Sequence, residues 1–304
     1  MIIVKNRKIF YTISGVIVLA ALVSLLIFGL NFGIDFKGGA IFEIEYAATR
    51  PAVSEVENSL KSIGISGNTI RPTGEKGFIV RTPHLNPAER ETFLSALSQG
   101  DPSRFMVKRE SSIGPTLGAE LKSKALLSIV LVILAIVLFV AFAFRKVSEP
   151  VSSWKYGLIT IVALLHDIIV PTGAFAILGK FTGAEVDSLF VTALLVILGF
   201  SVHDTIVVFD RVRENLRKNI EYNKREPFEE TVGRSVAQTF TRSINTSLTT
   251  ALTLLALYFI GPESTKYFSL ALLIGIIAGT YSSIFLASPL LVSVERWQSK
   301  NTKK

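Results

Sequence analysis

Apolar residues gather into six stretches of about twenty with almost no Asp, Glu, Lys or Arg, the length that crosses a bilayer core of about 30 Å. They run from about residue 9 to 30, 124 to 144, 154 to 177, 188 to 209, 245 to 261 and 267 to 294. In lipid every backbone N–H and C=O must be satisfied within the segment, so each stretch is predicted to be a helix. The predicted fold is therefore an α-helical integral membrane protein with six transmembrane helices. Composition agrees: 18% of the 304 residues are charged, against about 25% in ordinary globular domains. The chain has no cysteine, which excludes disulfides, thiolate nucleophiles and cysteine-ligated metal centres. Three histidines, His84, His166 and His203, leave little for a metal site, so no metal and no cofactor is expected.

The first stretch, after Lys5, Arg7 and Lys8, is too long for the apolar core of a cleaved leader, and Gly29-Leu30-Asn31-Phe32-Gly33 does not read as a cleavage site. It is read as a retained helix. Lys and Arg then set the orientation. With the N-terminus inside, the inner side collects Lys5, Arg7, Lys8, Arg145, Lys146, Lys155, the 211–242 segment, Arg296, Lys300, Lys303 and Lys304. The short outer loops hold only Lys180 and Lys266. Both termini are expected to be cytoplasmic, with Trp154, Tyr156 and Trp297 at the interface. This asymmetry accounts for the net charge of +8 without a nucleic-acid partner.

Residues 31–122 form one polar excursion to the outer side, long enough to fold alone; residues 1–30 precede it and the remaining spans occupy 123–304. Ile41 to Tyr46 alternates with period two, as a half-buried strand does. Ser54 to Ile63 reads as an amphipathic helix capped by Ser54, with Glu57 completing a capping box. Gly77 to Arg81 is a second strand, Asn86 to Leu97 a second helix, and Phe105 opens a last strand; one more strand is ill-defined near Thr69–Arg71. The order β-α-β-β-α-β fits an α+β, ferredoxin-like sandwich. On the inner side, Phe228, Val232, Val236 and Phe240 recur at helical spacing within the charged 211–242 segment. They predict a helix lying in the headgroup plane or a docking surface for a cytoplasmic partner.

Ionisable groups inside a membrane cost about 2.5–3.5 kcal/mol each and mark candidate sites. Leu165-His166-Asp167-Ile168 and Val202-His203-Asp204-Thr205 place a His-Asp pair in each of two consecutive spans. Ala193, Ile197, Ser201, Asp204 and Val208 share one helix face, so the Asp204 carboxylate is expected to point into a bundle. Such an acid, balanced between burial and a nearby cation, can load and release a proton; the alternative is a static ion pair. Arg242, Thr246, Thr249 and Thr253 form a stripe at the start of the fifth span, flanked by Asn245. It is either a polar seam toward a buried carboxylate, or a snorkelling arginine with threonines bonded to their own backbone. His166 and Asp167 either relay protons toward Asp204 or repair the kink expected at Pro171. Ala271, Gly275, Gly279, Ser283 and Ala287 recur at every fourth position, a seam for close helix packing within this chain or with another. The second span is apolar all round and is expected to face lipid. The glycine-rich phosphate-binding signature is absent, since Gly173 to Lys180 has the wrong spacing. No hydrolase motif occurs either, so any work must draw on an ion gradient or a partner and no enzyme activity is expected.

At these residues the chain resembles the SecF family of bacterial protein-export membrane proteins. Gly29-Leu30-Asn31-Phe32-Gly33-Ile34-Asp35-Phe36-Lys37-Gly38-Gly39 carries the likeness after the first span, with Asn31, Gly33, Asp35, Gly38 and Gly39 as signature residues and Lys37 as a departure. Asp204 to Asn215, including Asp210 and Arg211, carries it at the end of the fourth. The resemblance implies the bacterial cytoplasmic membrane, with the 31–122 domain in the periplasm. It implies a SecD partner, association with the SecYEG channel and often YidC, and kinship with the resistance-nodulation-division transporters. It also implies use of the proton-motive force to help complete preprotein translocation. Proton passage in that family is linked to an Asp of the fourth span and an Arg opening the fifth, here Asp204 and Arg242; His203, Thr246 and Thr249 are grouped with them. Two other readings remain: half of a small-molecule or lipid exporter, with an apolar cleft in the outer domain, or a scaffold that joins partners through the Ala271–Ala287 seam.

Overall fold

The computed structural model describes residues 2–144 and 151–302. Arg145, Lys146, Lys303 and Lys304, counted above for orientation, lie outside the described residues. The chain divides into two compact units, one of residues 1–31 with 127–304 and one of residues 32–126. Six helices are long and apolar enough to cross a membrane: Arg7–Phe28, Pro115–Ala143, Trp154–Thr182, Ser188–Glu221, Phe228–Ile260 and Glu263–Gln298, here the first to sixth spans. The second exposes Leu127, Val130, Leu131, Leu134, Leu138 and Phe142, the all-round apolar surface of a lipid-facing helix.

In residues 32–126 four strands form one antiparallel sheet: β1 (Gly39–Tyr46), β2 (Thr69–Thr73), β3 (Gly77–Thr82) and β4 (Phe105–Ile113), in the order β2-β3-β1-β4. Period-two alternation turns Ala40, Phe42, Ile44 and Tyr46 inward beside Phe78 and Val80. Helices Val53–Ser62 and Pro87–Ser98 cover that face with Val56, Leu60, Phe93 and Leu97. The expected Ser54 cap is not made. The first of these helices starts at Val53 after Ala52, so Ser54 already has helical geometry and its hydroxyl is not placed to cap. The capping box belongs to the other helix, where Asn86 Oδ1 accepts from Glu89 N at 2.9 Å and Glu89 Oε2 accepts from Asn86 N at 2.8 Å.

The paired glycines have a steric reason. Gly38 sits at φ +77° and Gly39 at φ +142°, and a β-carbon would come within 2.9 Å of Pro115 Cα at the first and 2.8 Å of Thr82 O at the second. Lys37 is exposed, so the one departure from the signature stays clear of this approach.

Phe228, Val232, Val236 and Phe240, expected to form a helix in the headgroup plane within the 211–242 segment, instead open the fifth span. The fourth helix continues to Glu221, and the fifth begins at Phe228 after a turn in which Asn223 takes a left-handed φ of 54°. Val232 and Val236 pack with Val208, Val212, Ile284 and Val292 instead of facing headgroups, because a helical hairpin buries this apolar face more completely. Asn215 ties the two arms, donating to Ser235 Oγ at 2.8 Å and Gln238 Oε1 at 2.9 Å. At the turn Glu226 accepts from Arg234 at 2.5 Å, Asn219 at 2.9 Å and Thr231 at 2.9 Å. Burial opposes its charge, but these three bonds and the Arg234 charge outweigh it and hold the carboxyl down at about 2. A depressed folded value contributes stability that is fully present above the ordinary 4.5 and drains away as the pH falls through about 2. Acid melting curves of the detergent-purified protein should therefore drop across that window in wild type, and Glu226→Gln should flatten the drop.

Tyr156, expected at an interface, is fully buried and stacks on Phe144 at 5.1 Å, whereas Trp154 and Trp297 are exposed.

Candidate functional site

The fourth span turns Ala193, Ile197, Ser201, Asp204 and Val208 inward, and the small residues of the sixth lie against it. A β-carbon on Gly275 would come within 2.1 Å of Ile197 Cδ1, and one on Gly279 within 3.0 Å of Ser201 Cβ. Ala271, Ser283 and Ala287 are fully buried. The seam is thus occupied by a helix of this chain, which removes the surface a scaffold reading would need for an outside partner.

Close packing brings hydroxyls to the carboxylate. Asp204 Oδ1 accepts from Ser243 Oγ of the fifth span at 2.8 Å, and Oδ2 accepts from Ser283 Oγ of the sixth at 3.2 Å. Arg242 is not brought to Asp204. Successive helical residues differ by about 100° in direction, so with Ser243 and Ser247 buried, Arg242, Thr246, Thr249 and Thr253 are exposed. Thr249 and Thr253 donate to the carbonyls of Asn245 and Thr249, at 3.0 and 3.1 Å. His203 is exposed as well, and it and Arg242 act on Asp204 only through space. No hydrogen bond joins Arg242, Thr246 or Thr249 to Asp204; the hydroxyls on the carboxylate are those of Ser243 and Ser283. A signal for Ser243 lies in the sequence. Thr231, Ser235, Thr239, Ser243 and Ser247 recur every fourth residue, one position along from the Arg242 stripe, and all are buried.

Asp167 lies in the same layer. Its Oδ2 accepts from Ser201 Oγ at 2.5 Å and Ser282 Oγ at 2.8 Å, and its Oδ1 meets His166 Nδ1 at 2.8 Å. These bonds tie the third span to Ser201 of the fourth and Ser282 of the sixth. Ser282 and Ser283 open a π-helical segment, Ser282–Ala287, that interrupts the sixth span. Pro289 lies just beyond it, where its missing N–H and its ring prevent a regular α-helical turn. The wider turn lets two consecutive serines face inward, Ser282 to Asp167 and Ser283 to Asp204. Of the signature residues, Asn31 donates to Ala184 O at 3.3 Å and Arg211 pairs with Glu214 at 2.5 Å, while Asp210 is exposed.

Comparison with known proteins gives one consistent result. The family model "Protein export membrane protein SecD/SecF, C-terminal" matches residues 93–297, and the "SecD/SecF GG Motif" matches residues 23–49. Protein translocase subunit SecF of Thermobaculum terrenum is 45% identical, over 98% of this chain and 94% of that protein. SecF of Pseudomonas aeruginosa is 34% identical, over 94% and 89%. The crystal structure of SecDF, a translocon-associated membrane protein from Thermus thermophilus, superposes with a TM-score of 0.81 at 30% identity. It covers 96% of this chain, which spans only 38% of the SecDF chain.

Proposed function

Because the chain belongs to the SecD/SecF family, as a SecF subunit of the Sec translocation machinery, we propose that it uses the proton-motive force, together with SecD, to help preproteins across the bacterial cytoplasmic membrane. Asp204 carries this reading. It is a carboxylate buried between spans, bonded by one hydroxyl from each of two further spans and by no lysine or arginine among the described residues. An unpaired charge there is costly, so taking up a proton is the cheap way to neutralise it. Serine serves both states, donating to a carboxylate and accepting from a carboxylic acid. Each proton gained or lost reverses a hydrogen bond to the fifth or sixth span, and that reversal is the change in force the gradient can drive.

The 31–122 domain is assigned to the periplasm as a ferredoxin-like fold. The lysine and arginine asymmetry, with both termini cytoplasmic, and the strand order β2-β3-β1-β4 support this. SecYEG, YidC and the preprotein are the further partners proposed, supported by the translocon association of the solved Thermus relative. The exposed face of the fifth span, with Arg242, Asn245, Thr246 and Thr249, is assigned to the SecD contact, because polar groups facing lipid need cover.

Vesicles carrying the SecD complex and the translocon test the reading. Wild type should export a preprotein faster with a proton gradient than without. Asp204→Asn should run at the collapsed-gradient rate in both conditions, with complex levels unchanged. A full gradient response in the variant would refute the assignment, and acceleration by a sodium gradient alone would change the ion.

A further inference from the structure

Asp167 is fully buried and His166 nearly so, and both carboxylate oxygens of Asp167 are engaged. No lysine or arginine among the described residues donates to it. A buried carboxylate needs a compensating proton or cation, and His166 Nδ1 is the titratable group within bonding distance. The other ring nitrogen, Nε2, is buried and has no hydrogen-bond partner among the described residues. The pair is therefore a histidine-carboxylate couple with one proton position filled between its members and one free nitrogen on the ring.

The surroundings are otherwise neutral or turned elsewhere. From the sixth span the Tyr281 ring stacks on His166 at 6.0 Å, and its hydroxyl is donated to Phe10 O at 3.2 Å. On the first span Tyr11 hydrogen-bonds with Ser293 at 2.9 Å and Arg7 pairs with Glu229. Arg296, toward the end of the sixth, also pairs with Glu229. The fourth span contributes Asp204, while His203 is exposed. Asp204 is linked to Asp167 twice: Ser201 lies three residues before it on one helix face, and Ser283 follows Ser282 in the π-helical turn.

We propose that His166 and Asp167 form a second proton-binding site, coupled to Asp204 through Ser201 and the paired serines Ser282 and Ser283. The proposal rests on Asp204 as the gradient-coupled acid and adds where the second half of the linkage sits. When Asp204 takes a proton, one oxygen becomes a donor while the other still accepts, and with the proton on Oδ2 the Ser283 hydroxyl reverses. Ser282 shares that turn, so its bond to Asp167 changes with it, and with that the proton balance of the His166 couple. Ser201 and Ser282 are positioning residues in this scheme.

The chain's three histidines make the test direct. In the lipid-reconstituted complex in which only this chain carries labelled histidine, with His84→Gln and His203→Gln, nitrogen NMR reports His166 alone. Its ring should change protonation state between about pH 5 and pH 9, and its midpoint should move by roughly one unit in Asp204→Asn, as coupled sites do. Ser282→Ala should shrink that response while leaving His166 titratable. A single ring state across the whole range overturns the second site. A midpoint indifferent to both Asp204→Asn and Ser282→Ala overturns the coupling. Both outcomes are read from the spectrum without export activity, so they are distinguishable from failure of the vesicle assay. Should a variant not fold, the titration of the parent protein still decides the first point.

Discussion

Gly275→Val is expected to destabilise the folded bundle by forcing Ile197 out of its place. The site has no room even for a β-carbon, which would overlap Ile197 Cδ1 at 2.1 Å and Cγ1 at 2.4 Å. Valine adds two more methyls, and overpacking of this kind costs about 1–3 kcal/mol or more when the backbone must part. Parting here would also separate Ser283 from Asp204, since both belong to the same pair of helices. The fluorescence-detected monodisperse fraction in mild detergent should fall, and the protein should melt below wild type. Two controls localise the effect. Gly199, on the fourth span, has nothing within 4 Å of its β-position, so Gly199→Ala should be neutral or slightly stabilising. Ile197→Ala should partly restore Gly275→Ala, because contacting sites are not additive. Wild-type folding of Gly275→Val would mean that the two helices do not meet as described.

What was legible in the sequence followed from period and polarity. The six spans came from uninterrupted apolar runs, and their helices exceed those runs only where charged residues continue the helix, as in Asp210 to Glu221. Lipid exposure dictates an apolar run but does not end a helix. The strands of the small domain came from alternation, and Asp204 came from its face: Ser201 and Ile197 point the same way and are buried with it. The serine that the fifth span hydrogen-bonds to Asp204 is harder to read. Arg242 drew attention to its own stripe because a guanidinium is the expected partner of a buried acid. The inward stripe of Thr231, Ser235, Thr239, Ser243 and Ser247 carries no charge and reads as ordinary small residues. The roles of Ser282 and Ser283 were not legible at all. They depend on an extra residue in one helical turn, and a strict four-residue period assigns Ser283 to packing and passes over Ser282.

Arg242→Ala is expected to cost the gradient-driven part of export about as much as Asp204→Asn, by a different route. Asp204→Asn leaves every helix contact in place and removes a proton site. Arg242 donates to no group among the described residues, so its loss should leave the chain's own melting temperature nearly unchanged. What it removes is a cation on the exposed polar face assigned to SecD, and a guanidinium that finds carboxylate or backbone partners across an interface contributes most where water and lipid are excluded. Recovery of SecD with the tagged chain should fall roughly tenfold, equivalent to about 1.4 kcal/mol of association. Arg242→Lys separates the two meanings of an exposed arginine. A side chain that only snorkels to headgroups is replaced well by lysine, and both SecD recovery and export should then return to wild type. A planar fork gripping an acid or carbonyl pair across the interface is not, and Arg242→Lys should then stay close to Arg242→Ala. Wild-type recovery of SecD and wild-type export in Arg242→Ala would place the SecD contact on another face of the bundle.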